Sequence, residues 1–289
     1  MKSKQPRPAR PVRRIHATAP SLKWYGWTDC GKIRTHNEDS FVGLQFNVHE
    51  VHHLGKIGAA PIGAMNYAFA VSDGMGGANA GEFASQIAVE KTTELLPLLY
   101  QRSAGGRETD FAEILEKLFK QIHRALVYVG GSYEECVGMQ TTLSVCWFTP
   151  GRVHFGHIGD SRIYRLTEGG KRLKQLSHDD THVGWLLRNG RIREYEARIH
   201  PRRKVLQKAL GGGNQFVNPQ IGSVPCRAGD VFLLCTDGLM EGLYDSGLGE
   251  QLRSAGLIGP DANLAHRLVE QAVKNDGRDN TTAMVVQVV

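Results

Sequence analysis

Each of three predicted strands is followed by an aspartate, and each of these aspartates has a glycine next to it in the sequence. The apolar runs "YAFAVSDG", "VHFGHIGD" and "VFLLCTDG" lead to Asp73, Asp160 and Asp237. Aspartate is a poor strand former, and its charge is costly to bury unless a partner or a metal ion neutralises it. A single Asp-Gly pair after a strand is most often only a turn. The recurrence of the pattern favours a shared chemical role for the three carboxylates.

Further acids stand where other predicted strands begin. "RTHNEDSF" places Glu38 and Asp39 just before a strand, and "GRDNTT" places Asp279 before the last one. If these strands are neighbours, their ends converge on one rim, where like charges would raise one another's pKa and destabilise the fold. Two or more divalent cations resolve this conflict. Because the set contains oxygen ligands and no histidine or cysteine, it favours Mn²⁺ or Mg²⁺ over zinc.

Two neighbours of the acids point to phosphate chemistry. Gly74 follows Asp73 and has no Cβ, so the chain can turn sharply there and offer a backbone carbonyl to a metal ion. Arg34 stands four residues before Glu38, and its planar guanidinium can hold two phosphate oxygens. For Arg34 alone, a surface salt bridge is the alternative interpretation.

The hydrophobic pattern predicts blocks of strands alternating with pairs of helices, which is typical of an α+β fold with antiparallel sheets. Apolar residues from Phe111 to Ile122 recur at helical spacing, and a second helix is predicted from about Ala80. The predicted strands cover 24–28, 40–46, 67–72, 142–148, 152–158, 162–166, 216–224, 231–236 and the C-terminal "TTAMVVQVV".

Composition predicts one large domain behind a basic tail. Six of the 35 basic residues lie in the first 20 positions, which contain no acid, so the remaining basic residues balance the 29 acidic ones. We expect residues 1–22 to be a disordered Pro-rich tail and 23–289 to be the folded domain. No apolar run is long enough to suggest a membrane span. Five scattered cysteines without a CxxC pair favour reduced thiols and a cytoplasmic protein.

A series of motifs resembles those of the metal-dependent protein phosphatases, the PPM or type-2C serine/threonine phosphatases, and looks most like the compact bacterial members. The resemblance covers about Trp24 to Val289. The motifs, in family order, are "RTHNEDS", "VSDGMGGANAGEFAS", "GMQTTL", "HIGDSRIYRL", "HPRRKVLQKALGG", "LLCTDGL" and "GRDNTTAMVV". The resemblance implies a four-layer α-β-β-α sandwich of two antiparallel sheets flanked by helix pairs. It also implies a flap subdomain beside the site, at about 177–214.

The resemblance also implies a two-metal centre of Mn²⁺ or Mg²⁺ ions. By analogy, Asp73 bridges both ions, with Glu38 and the Gly74 carbonyl on one and with Asp237 and Asp279 on the other. A water that bridges the two ions would attack phosphorus in line.

Four further positions carry expectations from the same resemblance. Asp160, with Asp237, would bind a weaker third ion. Asp39 would orient metal-bound water, and Arg34 would bind the substrate phosphate. Eukaryotic members have a histidine, a candidate general acid, where this chain has Met75, so the proton for the leaving group must come from elsewhere.

The sequence therefore predicts hydrolysis of phosphoserine and phosphothreonine in proteins. The expected partners are phosphorylated proteins, including a cognate serine/threonine kinase and its substrates, and we expect a monomer. The alternative is a catalytically weak regulatory or scaffold protein that keeps the fold, although such proteins typically lose metal-site acids. A third interpretation, an enzyme that acts on nucleic acid through the basic tail, is not favoured.

Overall fold

The computed structural model describes residues 20–76, 80–103, 109–170, 172–213, 217–253 and 263–289. The predicted tail, 1–22, lies outside the described residues except for its last three. The described chain forms two antiparallel sheets. The first sheet has the strand order β10 (Lys174–Gln175), β9 (Arg162–Leu166), β13 (Val231–Cys235), β14 (Thr281–Val288), β1 (Ser21–Asp29), β4 (Ile57–Pro61).

The second sheet is built around β5, the strand that contains Asp73 and Gly74 near its C-terminal end. Its order is β11 (Leu210–Gly211), β6 (Gln140–Thr141), β5 (Asn66–Met75), β7 (Leu143–Thr149), β8 (Arg152–Ile158), β12 (Gln220–Pro225). On another edge of β5, β2 (Asp39–Phe46) pairs with β5 and β3 (Val51–His53) pairs with β2.

The helices cover the outer face of each sheet. Two long helices, α1 (Ala80–Ser103) and α2 (Phe111–Ser132), pack on the second sheet. On the first sheet lie α5 (Asp237–Gly242), α6 (Asp245–Arg253) and α7 (Leu264–Asn275). Two short helices, α3 (His182–Arg188) and α4 (Glu194–Ile199), lie in the segment that was predicted to be a flap. The layers are therefore α-β-β-α, as predicted.

Strand β13 shows why its sequence is apolar at every position. Successive side chains of a strand point to opposite faces. Phe232 and Leu234 pack in the core between the two sheets, whereas Leu233 and Cys235 pack against the helices of the first sheet. Since both faces are buried, no polar alternation is possible. The whole strand is buried, and the carboxylate of Asp237 follows two residues beyond its end.

The predicted apolar stripe of α2 is buried. Ile114, Leu115, Leu118 and Phe119 are at most 4% exposed and face the second sheet. Asp110 begins the helix, because its carboxylate accepts a hydrogen bond of 3.0 Å from the Glu113 N–H. The sequence pattern did not predict β3 and β4, since their residues lie on sheet edges and are largely exposed.

Candidate metal and phosphate site

The antiparallel pairing of β2 with β5 brings the first group of acids together. Asp39 and Asp73 are directly opposite each other in this pair. The Gly74 N–H donates to the Glu38 carbonyl oxygen at 3.0 Å, which holds Glu38 beside the end of β5. Glu38, Asp39, Asp73 and Gly74, all predicted as site residues, therefore lie at one end of the second sheet.

Two glycines allow helix α1 to approach this corner. A Cβ on Gly74 would overlap the carbonyl oxygen of Gly81, and a Cβ on Gly81 would overlap the carboxylate of Glu38. Any larger residue would thus move either the strand end, the helix or the acid. The glycine that follows Asp73 is explained by close packing as well as by a possible role of its carbonyl group.

The first sheet contributes the second group of acids. Asp237 is the first residue of α5, immediately beyond β13, and Asp279 precedes β14. The hydroxyls of Thr236 and Thr282 each donate to the same oxygen of Asp39, Oδ2, at 2.7 Å. These two bonds tie the acid ends of the two sheets together, with Asp39 between them.

Asp160 reaches the same place by way of a tight turn after β8. Gly159 has a φ of 109°, a conformation that favours glycine. The Gly159 N–H donates to Asp180 Oδ2 at 3.2 Å. On the other side of Asp160, the Ser161 and Thr142 hydroxyls share a hydrogen bond of 2.8 Å. The Thr142 hydroxyl in turn accepts from the Asp73 N–H at 2.9 Å. A chain of short contacts thus connects the Asp160 turn to the end of β5.

The acids are close enough to affect each other's ionisation. Loss of water raises the pKa of Asp73 well above its ordinary value, and the charges of Asp39, Asp237, Asp160 and Asp279 raise it further. The pKa of Asp39 is raised to about 7, chiefly by burial, although hydrogen bonds from two hydroxyls lower it. The pKa values of Asp160 and Asp237 are also raised, chiefly by burial. The structure therefore brings the predicted acids into one cluster that needs positive charge.

Two cationic side chains supply part of that charge. Arg34 lies 2.9 Å from Asp279 and 3.5 Å from Glu38, and 47% of its side chain is exposed. Lys204 lies 3.2 Å from Asp237, 2.9 Å from Glu241 and 2.5 Å from Asp279. Burial lowers the pKa of Lys204, but the carboxylates, beginning with Asp237, outweigh it and raise the pKa far above its usual range.

The donor set fits hard divalent cations, although it is not closed around one point. In the described part of the chain, no three acidic, histidine or cysteine side chains are arranged as a ready-made metal cage. The second carboxylate oxygen of Asp39, Oδ1, is buried and has no hydrogen-bond partner among the described residues. A buried oxygen without a partner among mostly buried carboxylates is the environment that a cation or its water would satisfy.

Several residues of the site were not assigned a role from the sequence. Lys204 and Glu241 belong to the acid cluster, and Asn280 accepts from the Glu38 N–H at 2.9 Å. Thr142, Thr236 and Thr282 orient Asp73 and Asp39. Most of these lie within the motifs quoted above, so the signal for the threonines was their neighbourhood to the acids. Lys204 lies within the motif "HPRRKVLQKALGG" and Glu241 lies outside the motifs, but neither side chain gave a signal of its own, since a charged side chain usually faces water.

A cleft of about 500 Å³ leads to the cluster between the flap segment and α5. Its floor includes Asp160 and Asp237, and its walls include Arg198, Lys204 and Tyr244. A cleft of about 590 Å³ lies at the opposite end of β13, around Val231, and does not include the acids. Of these two clefts, the one beside the flap reaches the acid cluster, at Asp160 and Asp237.

The fold is a four-layer sandwich in which carboxylates converge at one end of the two sheets, beside a half-exposed arginine. A family profile described as protein phosphatase 2C matches residues 62–256. The chain therefore belongs to the protein phosphatase 2C family. The predicted family and fold are confirmed.

Two curated relatives and one solved structure illustrate the similarity. The serine/threonine protein phosphatase PstP of Mycobacterium tuberculosis is 34% identical over 272 residues, which are 93% of this chain and 45% of that protein. The serine/threonine phosphatase stp of Listeria monocytogenes is 31% identical over 90% of this chain and 93% of that protein. The chain thus spans less than half the length of the mycobacterial relative and nearly all of the listerial one.

The solved structure is the catalytic domain of PstP in complex with two manganese ions. It is 31% identical, covers 94% of this chain and all of that domain, and superposes with a TM-score of 0.72. Among the helices of the described residues, none is both long and apolar enough to cross a bilayer.

Proposed function

We propose that this chain is a metal-dependent protein phosphatase that hydrolyses phosphoserine and phosphothreonine. The main support for the proposal is that five acids converge at one end of the two sheets of a fold typical of this family: Glu38, Asp39, Asp73, Asp237 and Asp279. Relatives that share most of the fold are named serine/threonine phosphatases. The manganese complex of a relative supports Mn²⁺ or Mg²⁺ as the cofactor.

The metal-holding residues are proposed from their positions. Asp73 lies opposite Asp39 at the end of β5, and by analogy with the family it would be shared by two ions. Glu38 and the Gly74 carbonyl would hold one ion, and Asp237 and Asp279 the other. When bound, two such ions supply an acidified water and offset the negative charge of the phosphoryl oxygens.

The remaining residues would position the reactants. Asp39 is fixed by Thr236 and Thr282 through Oδ2, which leaves Oδ1 free to orient a water. The half-exposed guanidinium of Arg34 faces the cluster and would bind phosphate oxygens in two-pronged fashion. Asp160 would join Asp237 in holding a third ion.

The test is hydrolysis of p-nitrophenyl phosphate and of a phosphothreonine peptide. We expect turnover with Mn²⁺, none with EDTA, and none in Asp237→Ala. As a control, Asp110→Ala removes the N-cap of α2 and costs about 1 kcal/mol of stability, but it should retain turnover. A folded wild type that binds Mn²⁺ but hydrolyses neither substrate would favour the regulatory or scaffold alternative.

The other expectations extend this proposal. We propose phosphorylated proteins as substrates, among them a cognate serine/threonine kinase, in a cytoplasmic and monomeric protein. Comparison of phosphoproteomes in cells with wild-type and Asp237→Ala protein would identify the substrates. Deletion of about the first 20 residues, the basic tail, should leave hydrolysis of small substrates unchanged, whereas a nucleic-acid enzyme would lose activity.

A further inference from the structure

Lys204, which the sequence did not predict as a site residue, contacts several carboxylates of the acid cluster. Its ammonium group contacts three carboxylates at once, those of Asp237, Glu241 and Asp279, at 2.5–3.2 Å. The lysine side chain is 41% exposed, whereas each of the three acids is at most 19% exposed. The ammonium group therefore covers these carboxylates from the solvent side and neutralises part of their charge.

The flap segment places Lys204 there. Lys204 lies in a turn between α4 and β11, in which the Arg203 N–H donates to the His200 carbonyl at 3.1 Å. Two arginines fasten this region to α5: Arg198 donates to the Met240 carbonyl at 3.1 Å, and Arg203 lies 3.5 Å from Glu241. The position of the lysine is thus coupled to the docking of the flap on the helix that begins with Asp237.

Two of the three carboxylates are also the acids proposed for one metal ion. An ammonium group and a divalent cation that use the same oxygens of Asp237 and Asp279 compete for them, because both need those oxygens within a few ångströms. Glu241 contacts Lys204 and Arg203 and is not among the acids proposed for the metal ions. It offers the ammonium group an anchor that the metal proposal leaves unused.

We propose that Lys204 is a built-in competitor of the metal ion held by Asp237 and Asp279. The inference rests on the proposed function, since it assumes a metal ion at these acids. In the metal-free protein the ammonium group stabilises the cluster. It must withdraw from Asp237 and Asp279 when the ion binds, so metal loading is linked to a rearrangement of the flap turn around Lys204.

The chain contains a matched control for this proposal. Lys208 belongs to the same segment, and its side chain is also 41% exposed, but it lies 3.5 Å from a single carboxylate, that of Asp180. Lys208→Met removes an equal charge from the flap without touching Asp237 or Asp279. It therefore separates competition at the cluster from a general electrostatic effect of the flap.

The experiment is calorimetric titration of chelator-treated protein with Mn²⁺, supported by thermal melting. We expect Lys204→Met and Lys204→Gln to bind one of the two Mn²⁺ ions, the one assigned to Asp237 and Asp279, about tenfold more tightly than wild type. Lys208→Met should bind it as wild type does. In EDTA, Lys204→Met should melt at a lower temperature than wild type, and saturating Mn²⁺ should remove the difference. This second measurement also shows that the variant folds.

Three results would overturn the inference. The first is unchanged or weaker Mn²⁺ binding by both Lys204 variants while wild type binds two ions, which would leave the proposed function intact. The second is a manganese-loaded crystal structure in which Lys204 still contacts both Asp237 and Asp279. The third is a wild type that binds no Mn²⁺, and this result would remove the proposed metal centre as well.

Discussion

Asp39 and Asp73 lie directly opposite each other on neighbouring antiparallel strands, β2 and β5. Like charges in such a pair destabilise a sheet. Here the arrangement is kept, and it is reinforced by two threonine hydroxyls that fix Asp39 from the other sheet. A fold that maintains this repulsion at the end of two sheets is built to meet a positive charge there, and the proposed metal centre supplies it.

The acid pair predicts how the stability of the metal-free protein depends on pH. Burial raises the pKa of Asp39 from 3.8 in the unfolded chain to about 7 in the folded one. Between these values folded Asp39 binds more protons than unfolded Asp39, so its contribution to stability is fully present below about pH 4 and is lost as the pH rises towards 7. The loss from this group is up to about 4 kcal/mol.

Urea denaturation in EDTA at several pH values tests this prediction. Asp39→Asn cannot ionise, so its stability relative to wild type should increase steadily between about pH 4 and pH 7. Because the charge of Asp39 also raises the pKa of Asp73, the difference reports Asp39 together with its effect on Asp73. Parallel pH profiles for the two proteins would show that Asp39 is already ionised and stabilised in the metal-free fold.

Close packing at the glycines predicts a steric effect. Gly81→Ala places a methyl group where the Glu38 carboxylate lies, so we expect a loss of about 1–3 kcal/mol of stability together with weaker Mn²⁺ binding. Chemical denaturation and calorimetric titration measure the two effects. The control is Gly247→Ala in α6, where a Cβ has no neighbour within 4 Å, and which should be neutral or slightly stabilising.

An unchanged Mn²⁺ affinity in Gly81→Ala would mean that Glu38 can move without loss. Glu38 would then have no place among the ligands, whatever the effect on stability.

Arg34 is predicted to act through its shape as well as its charge. Arg34→Lys keeps the charge but loses the planar fork that can hold two phosphate oxygens, so kcat/KM for a phosphothreonine peptide should fall about tenfold or more. Steady-state kinetics at saturating Mn²⁺ measure this effect. Arg152→Lys is the control, because Arg152 is exposed and donates to Ser223 at the far end of β8. Equal effects of the two substitutions would reduce Arg34 to a surface ion pair.

Much of the architecture could be predicted from local pattern. The stripe of α2 and the two-sided apolar strand β13 are dictated by which faces are buried, and burial is visible in sequence periodicity. The exposed edge strand β4 leaves no such periodicity, so it was missed. The predicted acids stood out because aspartate at the end of an apolar strand conflicts with local preference.

Contacts across long sequence separations could not be predicted in the same way. Lys204 lies 75 residues from Asp279 in the chain, in a segment rich in basic residues, and its pattern is that of a solvated surface. Its contact with the cluster depends on how the flap docks on α5, which is a tertiary property. The threonines that fix Asp39 have ordinary strand-like neighbours and are recognised only when the two sheets meet.

Anomalous diffraction from crystals soaked in Mn²⁺ is the most direct test of the metal centre. The account predicts two strong manganese peaks at the acid cluster, both near Asp73, one also near Glu38 and the Gly74 carbonyl, and the other near Asp237 and Asp279. Crystals soaked in saturating Mn²⁺ that show no manganese peak among these acids, or peaks only elsewhere on the surface, would contradict the proposed metal centre.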